Sequence, residues 1–194
     1  MNVFILGLSR SGTTTLLNAF KTMYNGKLYG EPFNRELDRP EMNTPYHKNR
    51  RHCKLSLDLG DKWALKAISN HITVQDAKLI SDKADLTIIL GRKDHQKRLE
   101  SFSYAFETSN FSWHEGYSVE DQEIPQYIRD VAANQETMLS FFSEILEVPI
   151  TYYEDLYFNQ EFKENFSKQF GDLAEKFVSL LDPSNKYRKE RGII

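Results

Sequence analysis

A short segment near the start of the chain has the residue types and spacing of an anion-binding loop. Residues 3–6 are consecutive apolar residues and are typical of a buried parallel strand. Gly7 and Gly12 bracket a turn of small and polar residues, and helical spacing then places three apolar residues on one face: Leu16, Leu17 and Phe20. In a strand–loop–helix of this kind, backbone N–H groups converge and the helix dipole favours negative charge. The segment therefore predicts an anion cradle.

The spacing from Gly7 to Gly12 fits the phosphate-binding pattern G-x-x-x-x-G-K-[ST], except that Thr13 stands at the lysine position. That lysine normally reaches the β- and γ-phosphates, so its absence argues against a triphosphate ligand. The loop carries its cation inside, at Arg10. The alternatives are a degenerate nucleotide loop and an ordinary strand-to-helix turn. The coincidence of a cation, two glycines and several hydroxyls favours the anion cradle.

The string LSRSGTTTL resembles the 5′-phosphosulfate loop of the sulfotransferases, commonly written P-R-S-G-T-T, with Leu8-Ser9 where many members have proline. These enzymes use 3′-phosphoadenosine 5′-phosphosulfate (PAPS). The resemblance implies that the 5′ end of PAPS is bound by six residues of this segment: Ser9, Arg10, Ser11, Gly12, Thr13 and Thr14. It also implies a catalytic role for Arg10, whose charge would stabilise the departing 3′,5′-diphosphoadenosine (PAP).

The segment GRKDHQKRLESF resembles a second sulfotransferase element, an arginine followed by a serine that together bind the 3′-phosphate. Arg92 and Ser101 match it, and their nine-residue spacing is closest to the bacterial carbohydrate-type branch. A guanidinium offers a planar fork of donors and a hydroxyl adds another, which suits one phosphate. The alternative is a surface helix on which Asp94 and Arg98 form an (i, i+4) pair, and we expect Arg98 to be such a surface residue.

Three residues are candidates for the chemical step. Glu31 follows the first helix, where several sulfotransferase branches are thought to place a glutamate base, and a carboxylate there could accept the proton of an acceptor hydroxyl. Lys66 ends the second predicted strand, where members with a basic residue use it near the 5′-phosphate or bridging oxygen. His71 is the alternative base. The competing interpretations are an exposed loop acid for Glu31 and a rim lysine for Lys66.

Two further segments resemble parts of the same family. TYYEDL resembles the segment that closes the last core strand, and we interpret Glu154 and Asp155 as supports of a neighbouring loop. The C-terminal YRKERG is loosely similar to a late element that grips the 3′-phosphate, which makes Arg188 and Lys189 further candidates for cofactor binding.

The remaining pattern predicts how these residues are positioned. Buried strands are predicted at residues 3–6, 62–68, 86–90 and 148–152. Helices are predicted after the first strand and at residues 74–83, 95–107, 124–146 and 160–181. Alternating strands and helices predict an α/β three-layer sandwich with a central parallel sheet, and the resemblance implies the phosphate-loop fold of the sulfotransferases. Ligands of such sheets bind at the carboxyl ends of the strands.

Composition limits the classes of function. The 194 residues fit one domain, 1–194, and a net charge of -3 with a pI near 6.0 argues against a nucleic-acid partner. The single cysteine, Cys53, suits a reducing compartment. We expect a cytoplasmic protein without a membrane span or signal peptide, and without a metal site, since no histidine pair has ligand spacing.

These observations predict a PAPS-dependent sulfotransferase that transfers a sulfuryl group to a hydroxyl or amine of a small-molecule, carbohydrate or protein acceptor. Loops at residues 24–60 and 108–122 are expected to form the acceptor pocket. The alternatives are an ATP-dependent kinase of nucleosides or small molecules with an atypical loop, and a non-catalytic nucleotide-binding protein on the same scaffold. The sequence leaves the acceptor and the oligomeric state open.

Overall fold

Parallel strands form the centre of the computed structural model, which describes residues 2–23, 26–33, 59–107 and 124–170. Within these ranges the strands are β1 (Val3–Gly7), β2 (Lys27–Gly30), β3 (Trp63–Ile68), β4 (Leu86–Gly91) and β5 (Ile150–Tyr152). Their order across the sheet is β2-β3-β1-β4-β5, and every neighbouring pair is parallel. β1, which precedes the candidate loop, therefore lies in the middle of the sheet.

Helices connect and flank the strands. In the described ranges they are α1 (Thr13–Met23), α2 (Val74–Ser81), α3 (His95–Glu107), α4 (Gln126–Leu146), α5 (Tyr153–Phe158) and α6 (Gln160–Phe170). None of these helices is both long and apolar enough to cross a membrane.

The two faces of the sheet are each covered by an apolar cluster, because side chains of β1 alternate between them. Val3 and Ile5 pack with three residues of α1 and with Leu156 of α5. Phe4 and Leu6 pack on the other face with residues of α2 and α4: Ala77, Ile80, Leu139 and Phe142. A third cluster joins α3 to α4. The α/β class and the central parallel sheet are as predicted, and helices on both faces are compatible with the predicted three-layer sandwich.

The register brings the carboxyl ends of β1, β2, β3 and β4 together along one side of the sheet, called the carboxyl edge below. Gly7 of β1 lies beside Ile68 of β3 and Leu90 of β4, and Gly30 of β2 pairs with Lys66. The segments that follow β1, β2, β3 and β4 therefore share this edge. They carry most of the candidate residues named from the sequence.

β2 and α5 were not predicted. β2 is four residues long, lies at the edge of the sheet beside β3, and buries only Tyr29, so its sequence KLYG has no clear alternation. α5 begins directly after β5, where Glu154 and Asp155 were interpreted as acids at a helix N-terminus but no helix was predicted before residue 160. The strand at residues 62–68 begins at Trp63 and the one at 148–152 begins at Ile150. Residues 34–58, 108–123 and 171–194 lie outside the described residues, and with them most of both predicted acceptor loops.

Candidate functional site

The segment that follows β1, residues 8–12, is called the anion loop below. Its first support is Gly7, where an added Cβ would lie 2.5 Å from Thr13 Cγ2 and 2.9 Å from the Leu90 carbonyl oxygen. The helix start and β4 therefore pack against Gly7 too closely for a side chain. Gly12, at φ 83°, adopts a left-handed conformation immediately before α1. The two glycines of the motif are thus required by local geometry.

Arg10 connects the anion loop to the segment after β4. Its backbone is left-handed, at φ 65°, which is uncommon for a residue with a side chain. Its Nε donates to Ser101 Oγ at 2.7 Å, and its carbonyl oxygen accepts a hydrogen bond of 2.8 Å from Arg92 Nη1. Three residues assigned from the sequence to opposite ends of one nucleotide are therefore in direct contact.

Positive charge is concentrated around this contact. Burial and the neighbouring Arg92 guanidinium both lower the pKa of Arg10. Burial also lowers the pKa of Arg98, as does Arg92, while Glu136 acts in the opposite direction. Arginine nevertheless stays protonated in proteins, so the cluster remains cationic at neutral pH. An anion placed beside Arg10 and Arg92 would relieve the repulsion between them.

The first turn of α1 presents backbone donors. Among the described residues, the first backbone hydrogen bond of this helix runs from Leu16 N–H to the Gly12 carbonyl, at 3.0 Å, and the N–H groups of Thr13, Thr14 and Thr15 donate none. Such donors at a helix start bind anions well. Two hydroxyl side chains at this junction are buried. Ser11, in the anion loop, donates to the Leu8 carbonyl at 2.8 Å, and Thr13 is the first residue of α1.

A second cluster of candidates lies at the ends of β2 and β3. Lys66 Nζ donates to Thr14 Oγ1 at 2.8 Å and pairs with Glu31 Oε1 at 2.5 Å. Lys66 is only 6% exposed, which excludes a rim lysine. Thr13 stands where a phosphate loop has its lysine, and here an ammonium group from β3 reaches the first turn of α1 instead.

Glu31 is the candidate base that pairs with Lys66. Its backbone is left-handed, at φ 54°, and its N–H donates to the Lys66 carbonyl at 2.9 Å. A strained backbone held by a hydrogen bond is a feature that clusters at functional sites. His71, the alternative base, lies in the turn after β3, with its N–H donating to the Ile68 carbonyl at 2.9 Å. The structure thus joins Glu31 to Lys66, and Lys66 to α1.

The prediction that Arg98 is a surface residue paired with Asp94 is wrong. Arg98 is 0% exposed and faces α4, where Nη1 donates to Glu136 Oε1 at 2.6 Å and Nη2 to Gln135 Oε1 at 2.8 Å. Its Nε donates to the Ser9 carbonyl of the anion loop at 3.1 Å. Asp94 instead accepts from the Lys97 N–H at 3.0 Å near the start of α3. The partners of Arg98 on α4 are almost 40 residues away in the sequence, so the charges near Arg98 on its own helix did not indicate them.

Glu154 and Asp155 support the segment after β4, as the sequence predicted. Glu154 accepts hydrogen bonds from the backbone N–H groups of Lys93 (2.8 Å) and Asp94 (3.1 Å), and its carboxylate lies 3.8 Å from Arg92 Nε. Asp155 pairs with the Lys93 ammonium at 2.6 Å. The acidic first turn of α5 thereby holds the two backbone N–H groups that precede the start of α3.

A groove of about 740 Å³ opens beside Arg92. Its walls combine apolar residues from the anion loop, α4 and β5 with charged residues: Leu8, Gly91, Arg92, Lys93, His95, Glu136, Leu139, Ser140, Ile150 and Tyr152. His95 Nδ1 lies 2.8 Å from Glu136 Oε1. Neither residue was predicted from the sequence, because each is an ordinary polar position on an exposed helical turn.

Gln135 was also not predicted as a site residue, although its position in the sequence indicates a buried polar group. It stands seven residues after Ile128 and seven before Phe142, so it falls on the apolar stripe of α4. A polar residue on such a stripe must find buried partners. The remaining candidates, Arg188 and Lys189, lie outside the described residues.

In comparisons with known proteins, no family model and no curated protein sequence matches the chain. The interpretation of the site therefore depends on its motifs and its geometry.

Proposed function

We propose that the protein is a PAPS-dependent sulfotransferase with a phosphate-loop fold. One observation carries the proposal: Arg10 of the anion loop hydrogen-bonds to Ser101 and, through its carbonyl, to Arg92. The resemblance assigns these residues to the 5′-phosphosulfate and the 3′-phosphate of one nucleotide, and their adjacency supports that assignment. The cationic cluster and the backbone amides at the start of α1 are suited to several anionic groups held close together.

The residues present fit PAPS. Arg10 and the amides of Thr13 and Thr14 would hold the phosphosulfate, and Arg92 with Ser101 would hold the 3′-phosphate. The groove beside Arg92, with its mixture of apolar and charged walls, has the size to take the nucleoside. PAPS supplies the sulfuryl group.

The chain's own residues would then act on the acceptor and on the leaving group. The Glu31 carboxylate accepts the proton of the acceptor hydroxyl while the oxygen–sulfur bond forms and the bond from sulfur to the 5′-phosphate oxygen breaks. The Lys66 ammonium, buried between Glu31 and Thr14, stabilises negative charge at the start of α1. Arg10 stabilises the charge that develops on PAP. Positioning and electrostatics account for the catalysis, as in phosphoryl transfer.

Thermal unfolding with nucleotides is the most direct test. PAP is expected to stabilise the protein, because it offers both phosphates, by about 2.7 kcal/mol at 100 times its dissociation constant. Mg-ATP is expected to stabilise it far less, because the loop lysine is missing and ATP has no 3′-phosphate. A shift with Mg-ATP equal to or larger than that with PAP would contradict the proposal and favour a kinase. Tight PAP binding with no sulfuryl transfer across a broad acceptor screen would favour a non-catalytic nucleotide-binding protein.

Replacing Arg92 by alanine is expected to weaken PAP binding by about 1.5–3 kcal/mol, the contribution of a hydrogen bond to a charged group. The loss should be much smaller with adenosine 5′-phosphate, which lacks the 3′-phosphate, although Arg92 also donates to the Arg10 carbonyl of the anion loop. Isothermal titration of both nucleotides measures the difference. Lys97→Ala is the matched control, since Lys97 lies on α3 with its side chain 71% exposed. If the Arg92→Ala protein still discriminates between the two nucleotides as the wild type does, Arg92 is not the 3′-phosphate residue.

A further inference from the structure

Gln135 uses both ends of its buried side-chain amide on the anion loop. The side chain is 1% exposed on α4, and its Oε1 accepts from the Ser9 backbone N–H at 3.1 Å and from Arg98 Nη2 at 2.8 Å. Its Nε2 donates to Ser9 Oγ at 3.0 Å and to Asn70 Oδ1 at 3.3 Å. One amide group therefore holds the backbone and the hydroxyl of the same loop residue.

The backbone of Gln135 is also hydrogen-bonded at the carboxyl edge of the sheet. Its carbonyl accepts a hydrogen bond of 2.8 Å from Ser69 Oγ, and the Ser69 N–H donates to the Gly7 carbonyl at 3.0 Å. Gln135 thus contacts the segments that follow β1 and β3 at once. Arg98, which bonds to Gln135 and also to the Ser9 carbonyl, completes the arrangement.

This network has a consequence for the position of the loop. A buried amide whose donors and acceptor are all used has a single favourable orientation, because any rotation leaves a buried polar group unpaired. Ser9 is next to Arg10 and three residues before Gly12, so fixing Ser9 limits where the Arg10 backbone and the start of α1 can lie. The Ser9 N–H itself is occupied by Gln135, which makes Ser9 an anchor of the loop.

We propose that Gln135 is a positioning residue that sets the geometry of the anion loop from α4. The proposal deepens the proposed function and rests on it, since it takes the anion loop to bind the 5′ end of PAPS. Gln135 acts through Ser9 and does not itself contact the nucleotide. Its contribution should therefore concern the 5′-phosphate more than the 3′-phosphate, because Arg92 follows β4 and Ser101 lies on α3, although both contact Arg10.

Two ligands separate these contributions. PAP carries both phosphates, whereas adenosine 3′-phosphate lacks the group that the anion loop would bind. The Gln135→Leu variant removes the amide at similar volume, and we expect its Kd for PAP to rise about 10-fold to 10²-fold, comparable to the loss when a residue that orients the ligands of a metal site is removed. Its Kd for adenosine 3′-phosphate should rise much less, because that ligand has no 5′-phosphate for the anion loop to bind. Isothermal titration, with competition for the weaker ligand, measures both.

Control variants distinguish positioning from general destabilisation. Phe142→Leu, in the core on the same helix and not among the residues that line the groove, should lower stability without changing the ratio of the two Kd values. Gln126→Leu, on the exposed start of α4, should change neither. If Gln135→Leu fails to fold, Gln135→Asn keeps the polar group but withdraws it by one methylene, and it should show the same selective loss for PAP.

The outcomes are distinct. A selective loss of PAP affinity in a Gln135 variant supports the proposal. An equal loss for both ligands, or none for either, overturns it while leaving the proposed function intact, provided that the wild type binds PAP. Failure of the wild type to bind PAP overturns the proposed function, and the role of Gln135 falls with it.

Discussion

The Glu31→Gln variant is expected to bind PAP like the wild type and to lose about 10²–10⁴-fold in kcat, the contribution of a true general base. Glutamine keeps the shape of the side chain and can still accept a hydrogen bond from Lys66, but it cannot take the proton of an acceptor hydroxyl. The structural reason for choosing Glu31 is its contact with Lys66 Nζ, which in turn reaches Thr14 at the start of α1.

Two measurements are needed for this prediction. Titration with PAP reports whether the site is intact, and steady-state turnover with an acceptor found by screening sugars, phenols and lipids reports the chemical step. Because the change should affect the transition state more than the ground state, kcat should fall much more than the affinity for PAPS. If Glu31→Gln stays near full activity across the pH range while His71→Ala abolishes turnover, the base is His71 and the assignment of Glu31 is wrong.

The Arg98→Ala variant is expected to lower the free energy of unfolding by about 2–4 kcal/mol. Arg98 is fully buried and donates to Glu136, Gln135 and the Ser9 carbonyl, so its removal takes one donor from each of these acceptors and opens a cavity. The loss should be smaller than for a wholly buried ion pair, because Glu136 is 39% exposed and can be hydrated. Lys97→Ala, one position earlier on α3, should change stability by less than about 0.5 kcal/mol.

Urea denaturation at pH 7 checks this prediction, with the slope of the transition unchanged if only stability is altered. Arg98→Lys keeps the charge but loses the planar fork, and should fall between the wild type and the alanine variant. An Arg98→Ala protein as stable as Lys97→Ala would show that the contacts from α3 to α4 and to the anion loop contribute nothing measurable.

Local backbone chemistry allowed the sequence to indicate the anion loop. Gly7 packs closely against Thr13, and Gly12 has a left-handed backbone. Because these requirements lie mainly within the loop itself, the spacing of the two glycines predicts them. Buried strands such as β1 and β4 were predicted for a similar reason, because their burial follows from consecutive apolar residues within each strand. β2, a short edge strand with one buried residue, carries no such pattern.

The side-chain network around the loop depends on residues far apart in the chain, and only the tertiary structure decided it. Arg98 has the same local surroundings as many exposed helical arginines, yet α4 covers it completely. Lys66 reaches Thr14 only because β3 lies beside β1 in the sheet. Gln135 interrupts an apolar stripe, which indicates a buried polar group, but the identity of its partner, Ser9, follows from the packing of α4 over the carboxyl edge. The sequence by itself thus determined the loop and the α/β class, because these depend on backbone torsions and short-range periodicity. The tertiary structure decided which charges are buried and which side chains hold the loop, because those depend on contacts between elements distant in sequence.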